Sequence, residues 1–141
     1  MGDAPQEEEE NAAEGRFPSV FDSAQALTNG EVSAILAKIV AAKKQEDPAY
    51  QPNPLLAKTQ EYVERFSGNK NEAVNQQIRM VLDAGEMTGF ELASVANLQP
   101  ETAEEARILI PSLDATQGDE PRFSDDTLQI VLDDVATYKQ A

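Results

Sequence analysis

The sequence predicts an all-α fold, and three observations carry that expectation. Three helix starts share one device, Thr28 with Glu31, Thr88 with Glu91 and Thr102 with Glu105, each a Thr-x-x-Glu capping box. In such a box the threonine oxygen accepts a hydrogen bond from the amide three residues on, and the glutamate reaches back to the threonine amide. Apolar residues then recur at helical spacing between short breaks of Pro, Gly and Asn. No strand-rich stretch competes, and short connections favour helices that pack on their sequence neighbours.

Residues 1–15 hold Asp3, Glu7, Glu8, Glu9, Glu10 and Glu14 without a lysine or arginine. Like charges repel and little there is worth burying, so this stretch reads as a disordered acidic tail. It is either a docking tail for a basic partner or a solubilising extension. Next comes a short apolar cluster, Phe17, Val20 and Phe21, punctuated by Pro18. Too brief to stand alone, it either folds back on its own domain or pairs with a neighbouring chain's sheet edge.

After the first capping box, Val32, Ile35, Leu36, Ile39 and Val40 fall at i, i+3, i+4, i+7 and i+8. That spacing predicts an amphipathic helix over 31–45. The stripe either docks on the rest of the chain or is completed by another protein. Residues 46–53, with Pro48 and Pro52, read as a linker, and Pro54 suits the first position of the next helix. From there Leu55, Thr59, Tyr62, Val63 and Phe66 mark one helix, and Val74, Ile78, Val81 and Leu82 another that Gly85 ends. A short helix over 89–97 places Phe90, Leu92, Ala93 and Ala96 near its apolar side. Pro100 separates it from a helix over 103–109, which Pro111 stops. Residues 114–121 read as a polar loop, and Ser124 opens a last helix with Leu128, Val131, Leu132, Val135 and Tyr138 on one face. Residues 54–141 thus form a five-helix bundle.

Composition narrows the chemistry. Of 141 residues, 26 are acidic and 11 basic, giving a net charge of −15, so binding duplex nucleic acid by charge alone is disfavoured. Forty per cent hydrophobic residues suffice for one modest core. Cysteine and histidine are both absent, which removes the thiol nucleophile, the imidazole base and the usual zinc, copper or haem ligands. A disulfide framework is likewise excluded, and a reducing compartment is the expectation. No apolar run reaches the roughly 18–20 residues that span a bilayer, and the acidic start is unlike a targeting peptide.

Carboxylate pairs remain as raw material for catalysis: Asp125 with Asp126, Asp133 with Asp134, Glu104 with Glu105. Adjacent helix residues diverge by about 100° and do not share a cleft, so these read as solvated surface. No phosphate-binding glycine pattern occurs. Lys38, Lys43 and Lys44 form one basic region, and Arg65, Lys70 and Arg79, near Tyr62 and Phe66, form another that could touch single-stranded nucleic acid. Neither a catalytic residue, a cofactor nor a metal site is expected.

Residues 89–113 carry Phe90-Glu91-Leu92-Ala93, Ala96-Asn97-Leu98, Pro100 through Ala106 as Pro-Glu-Thr-Ala-Glu-Glu-Ala, and Leu109-Ile110-Pro111-Ser112-Leu113. This string resembles the signature of the fourth-subunit family of eukaryotic RNA polymerase II. Tyr62 to Phe66, Leu128 to Asp134, and Phe17-Pro18, Phe21 and Glu31-Val32 resemble further family segments, so about residues 16–139 are covered. The resemblance implies a non-catalytic subunit that pairs with the seventh polymerase subunit in a stalk beside the RNA exit channel. It implies that residues 54–141 are similar to the helicase and RNase D C-terminal (HRDC-like) bundle and that residues 16–45 pack on the partner. On that basis Phe17, Val20, Phe21, Val32, Ile35, Leu36 and Ile39 are the expected partner-binding residues. Roles in initiation and later mRNA handling, RNA contact mainly through the partner, and a nuclear location with shuttling to the cytoplasm are implied likewise; no basic import run is present. The alternative is a stand-alone HRDC-like helical module that binds single-stranded nucleic acid through the Arg65, Lys70 and Arg79 region.

Overall fold

The computed structural model describes residues 8–68 and 71–138. Among these residues it is all-α, with six α-helices: α1 (Asn29–Glu46), α2 (Pro54–Phe66), α3 (Glu72–Asp83), α4 (Gly89–Leu98), α5 (Ala103–Leu109) and α6 (Asp125–Ala136). The expected helices therefore stand where the apolar periodicity put them, within two residues at the ends. Strand is confined, among the described residues, to an isolated bridge between Asn11 and Arg16 and a two-residue pair, β1 (Thr116–Gln117) and β2 (Glu120–Pro121). That pair replaces part of the loop expected over 114–121. Gly118 turns it with φ of 71°, a left-handed conformation that glycine adopts without a Cβ clash.

Each α-helix start is capped by a side chain. Thr28 and Thr88 form complete boxes, with Glu31 and Glu91 accepting from the threonine amides at 2.9 and 3.0 Å. The third box is only half formed. Thr102 accepts from the Glu105 amide at 3.1 Å, but Glu105 accepts from the Glu101 amide instead. Asn53, Asn71 and Ser124 cap α2, α3 and α6. In the linker an Asp47 carboxylate accepts from the Ala49 amide at 3.0 Å, turning the chain from α1 into α2.

The core belongs to α3–α6. Ile78, Leu82, Leu92, Val95, Ala106, Ile110, Leu113, Leu128, Leu132 and Val135 are buried together there, with Phe123 closing one side. The α1–α2 hairpin packs on this block through α3 and α4, and among the described residues Val40 and Val63 are its only large apolar side chains that are buried. No helix among the described residues is long and apolar enough to cross a membrane.

Of the acidic stretch read as a tail, residues 1–7 lie outside the described residues. Residues 8–15 carry a 3-10 turn (Ala12–Glu14) that packs against a second one at Pro111–Asp114. Further along the arm the Glu8 carboxylate accepts from both the amide and the hydroxyl of Ser19, which opens a 3-10 turn over Ser19–Phe21.

Candidate interaction surface

The arm and α1 are held to the core at named points. Phe17 packs against Phe90 of α4, with ring centroids 4.8 Å apart and planes tilted by 55°. Gly89 lets the end of the arm approach α4: a Cβ there would meet that of Ala26 at 3.3 Å. The Arg79 guanidinium of α3 donates to both oxygens of Glu31, at 2.5 and 2.6 Å, and to the Ala26 carbonyl at 2.8 Å. Partial burial alone would raise the Glu31 pKa, but Arg79 and the Thr28 amide hold it below its ordinary value; the same pairing raises that of Arg79. Asn97 accepts from the Asn29 amide at 2.8 Å and fixes the start of α1 on α4.

Once α1 is placed, its stripe divides. Val40 is buried and Val32 and Leu36 are half-buried, whereas Ile35 and Ile39, one turn apart, remain 43% and 42% exposed. Of the α2 stripe only Val63 is buried; Leu55, Tyr62 and Phe66 stay exposed, the two rings in contact with centroids 4.8 Å apart. In the arm Phe17 is half-buried against its own bundle, while Val20 and Phe21 are 74% and 59% exposed. The seven residues expected to bind a partner thus fall into two groups. Phe17, Val32 and Leu36 pack at least partly on the chain itself; Val20, Phe21, Ile35 and Ile39 present apolar surface to solvent.

The described members of the basic region expected for single-stranded nucleic acid are engaged within the chain. Arg79 is committed to Glu31 and Ala26, Arg65 lies over the Phe66 ring at 5.5 Å, and Lys70 lies outside the described residues. Lys38 pairs with Glu72 at 2.8 Å. Among the described residues no cluster of acidic side chains is arranged to hold a metal ion.

Sequence reasoning missed an ion pair built on a buried carboxylate. Glu91, read only as a capping residue, is fully buried; Arg122 donates to its two oxygens at 2.9 and 3.2 Å and Ser112 at 2.7 Å. Burial would raise its pKa, yet Arg122, the Thr88 amide and Ser112 together bring it below the ordinary value. Arg122 thereby ties the β1–β2 segment to the start of α4, where Phe90 receives Phe17. A lone arginine in an otherwise acidic loop was the available signal. Likewise Arg107 of α5 joins Asp114 and Asp125, each at 2.9 Å, and the Phe123 carbonyl.

The family model for RNA polymerase Rpb4 matches residues 26–139. DNA-directed RNA polymerase II subunit 4 of Arabidopsis thaliana is 40% identical over 136 residues, covering 95% of this chain and 96% of the relative. The corresponding subunit rpb4 of Dictyostelium discoideum is 32% identical, with 95% of this chain and 92% of the relative covered. That of Schizosaccharomyces pombe is 29% identical, with 94% and 93% covered.

Proposed function

The chain belongs to the RNA polymerase Rpb4 family, and from that premise we propose that it heterodimerises with the seventh subunit of RNA polymerase II to form the polymerase stalk. As a member of this family it is a non-catalytic subunit of DNA-directed RNA polymerase II and works in the nucleus. The finer reading places the pair beside the RNA exit channel, where it supports initiation and later mRNA handling, with some shuttling to the cytoplasm. In this reading residues 1–15 are a tail, 16–45 the partner-binding arm and helix, 46–53 a linker and 54–141 an HRDC-like bundle.

The observation that carries the proposal is the division of the α1 stripe: Ile35 and Ile39 stay exposed while Val32, Leu36 and Val40 of the same stripe are at least half-buried. Two neighbouring aliphatic side chains on one helical face, with the exposed Val20 and Phe21 of the arm, give a partner a set of apolar anchors. RNA contact belongs mainly to the partner, since a chain with net charge −15 disfavours phosphate.

The test is size exclusion with light scattering on the chain co-expressed with the seventh subunit. A one-to-one complex that Ile35→Asp or Ile39→Asp dissociates, with amide protection gained over residues 16–45, is the expected result. Unchanged pairing in both variants would reject the assigned interface.

A further inference from the structure

Ahead of α1 the acidic stretch turns back on the arm that follows it. Gly15, with φ of 71°, lies in the left-handed region, and across this turn Asn11 and Arg16 exchange both main-chain hydrogen bonds, each at 2.9 Å, as an antiparallel bridge. Further on, Glu8 accepts from the Ser19 amide, and from the Ser19 hydroxyl at 2.8 Å. Pro18, between them, has no amide hydrogen to offer. The main-chain donors of Arg16 and Ser19 are thus both spent on residues 8–11, while the side chains of Val20 and Phe21 stay exposed. The acidic stretch occupies the backbone of the arm and leaves its apolar anchors uncovered.

We infer that residues 8–11 are an autoinhibitory clasp, which must lift before a partner pairs with the arm along its main chain. A strand laid against residues 16–19 needs the amide and carbonyl of Arg16 and the amide of Ser19, and these are the groups the clasp holds. The acceptor at Ser19 is a carboxylate, which binds an amide more strongly than a neutral oxygen does, yet Glu8 and Ser19 are both exposed, so opening uncovers no buried surface. Only the open fraction of the chain is competent to pair, so the clasp lowers the rate of capture and the apparent affinity by that fraction. A negative charge placed on the side chain at position 19 would face Glu8 and be repelled, which opens the clasp. The inference rests on reading residues 16–45 as the partner-facing segment and deepens that reading by naming what regulates the arm.

The test follows capture of the full chain by immobilised seventh subunit, comparing the wild type with Glu8→Ala, Ser19→Asp and the control Glu9→Ala. Glu8→Ala and Ser19→Asp change the net charge in opposite directions, yet both open the clasp. Both are therefore expected to raise the association rate, by about threefold or more, while Glu9→Ala leaves it unchanged. In the unpaired chain, amide exchange at Ser19 is expected to be slow in the wild type and faster in both clasp variants. Association rates that follow net charge, rising in one clasp variant and falling in the other, would overturn the inference, as would equal exchange of the Ser19 amide in the wild type and Glu8→Ala. The substituted side chains are all exposed, so the bundle is expected to fold unchanged in each variant. If every variant pairs at the wild-type rate, the clasp inference falls and the stalk reading stands; if neither the wild type nor any variant pairs, both fall.

Discussion

The α1–α2 hairpin and the α3–α6 block are built from the same kind of amphipathic helix, yet they bury themselves very differently. In the block, stripe residues such as Leu82, Leu128 and Leu132 are at most 3% exposed and meet one another. In the hairpin, Val40 and Val63 are covered while Ile35, Ile39, Leu55, Tyr62 and Phe66 are not. Polar chemistry follows the same division. The block buries the Glu91 carboxylate almost completely against Arg122, whereas in Arg79–Glu31, which attaches the hairpin, about a fifth of the carboxylate's side chain stays exposed. Amphipathicity thus says that a helix has a face to bury, and the number of neighbouring helices decides whether the chain can bury it alone.

This contrast can be broken or sharpened by substitution. The largest effect is expected from Arg122→Ala, which leaves the Glu91 carboxylate buried without its cation and costs about 3 kcal/mol or more in chemical denaturation. Leu128→Ala, in the middle of the block, is expected to cost about 2–4 kcal/mol, whereas Ile39→Ala in the hairpin costs less than about 1 kcal/mol because 42% of its surface is already exposed. Comparable losses at the two positions would erase the distinction between the regions.

Acid should act on both regions through carboxylates. The folded pKa values of Glu91 and Glu31 lie below the ordinary 4.5, so their stabilisation is present above that value and is lost as pH falls through the folded pKa. Glu91→Gln is therefore expected to flatten the fall of stability below pH 4.5, and an unchanged slope would contradict the role given to this pair. A smaller effect, about 1 kcal/mol, is expected from Thr28→Ala, which removes the cap of α1. Amide exchange should then rise at the start of α1 and not in α6. The smallest change has the opposite sign. Glu86 holds φ of 60° between α3 and α4, so Glu86→Gly should relieve strain and raise the melting temperature by a few degrees.

Much of the fold was legible because helix formation is local. Capping by Thr28, Thr88 and Ser124, the stops near Gly85 and Pro111, and stripes at three- and four-residue spacing involve residues within a turn of one another, so the sequence displays them directly. The third box failed for a reason of the same range, since Glu105 found the Glu101 amide instead of that of Thr102. How the seven expected partner-binding residues divide into packed and exposed ones was not legible. That Phe17 would pack against Phe90, 73 positions away in the chain, and that Arg79 would be spent on Glu31 and Ala26, depend on how distant segments meet.

By itself the sequence determined the all-α class, the helix limits within two residues, the acidic surface and the family to which the chain belongs. Tertiary structure alone decided which side of each stripe is covered, that Glu91 is a buried ion-pair partner as well as a cap, and that residues 8–11 fold back on the arm. The physical reason is range. Hydrogen-bonded caps and helical periodicity act over three or four residues, while burial and ion pairing are settled by side chains that only the folded chain brings together.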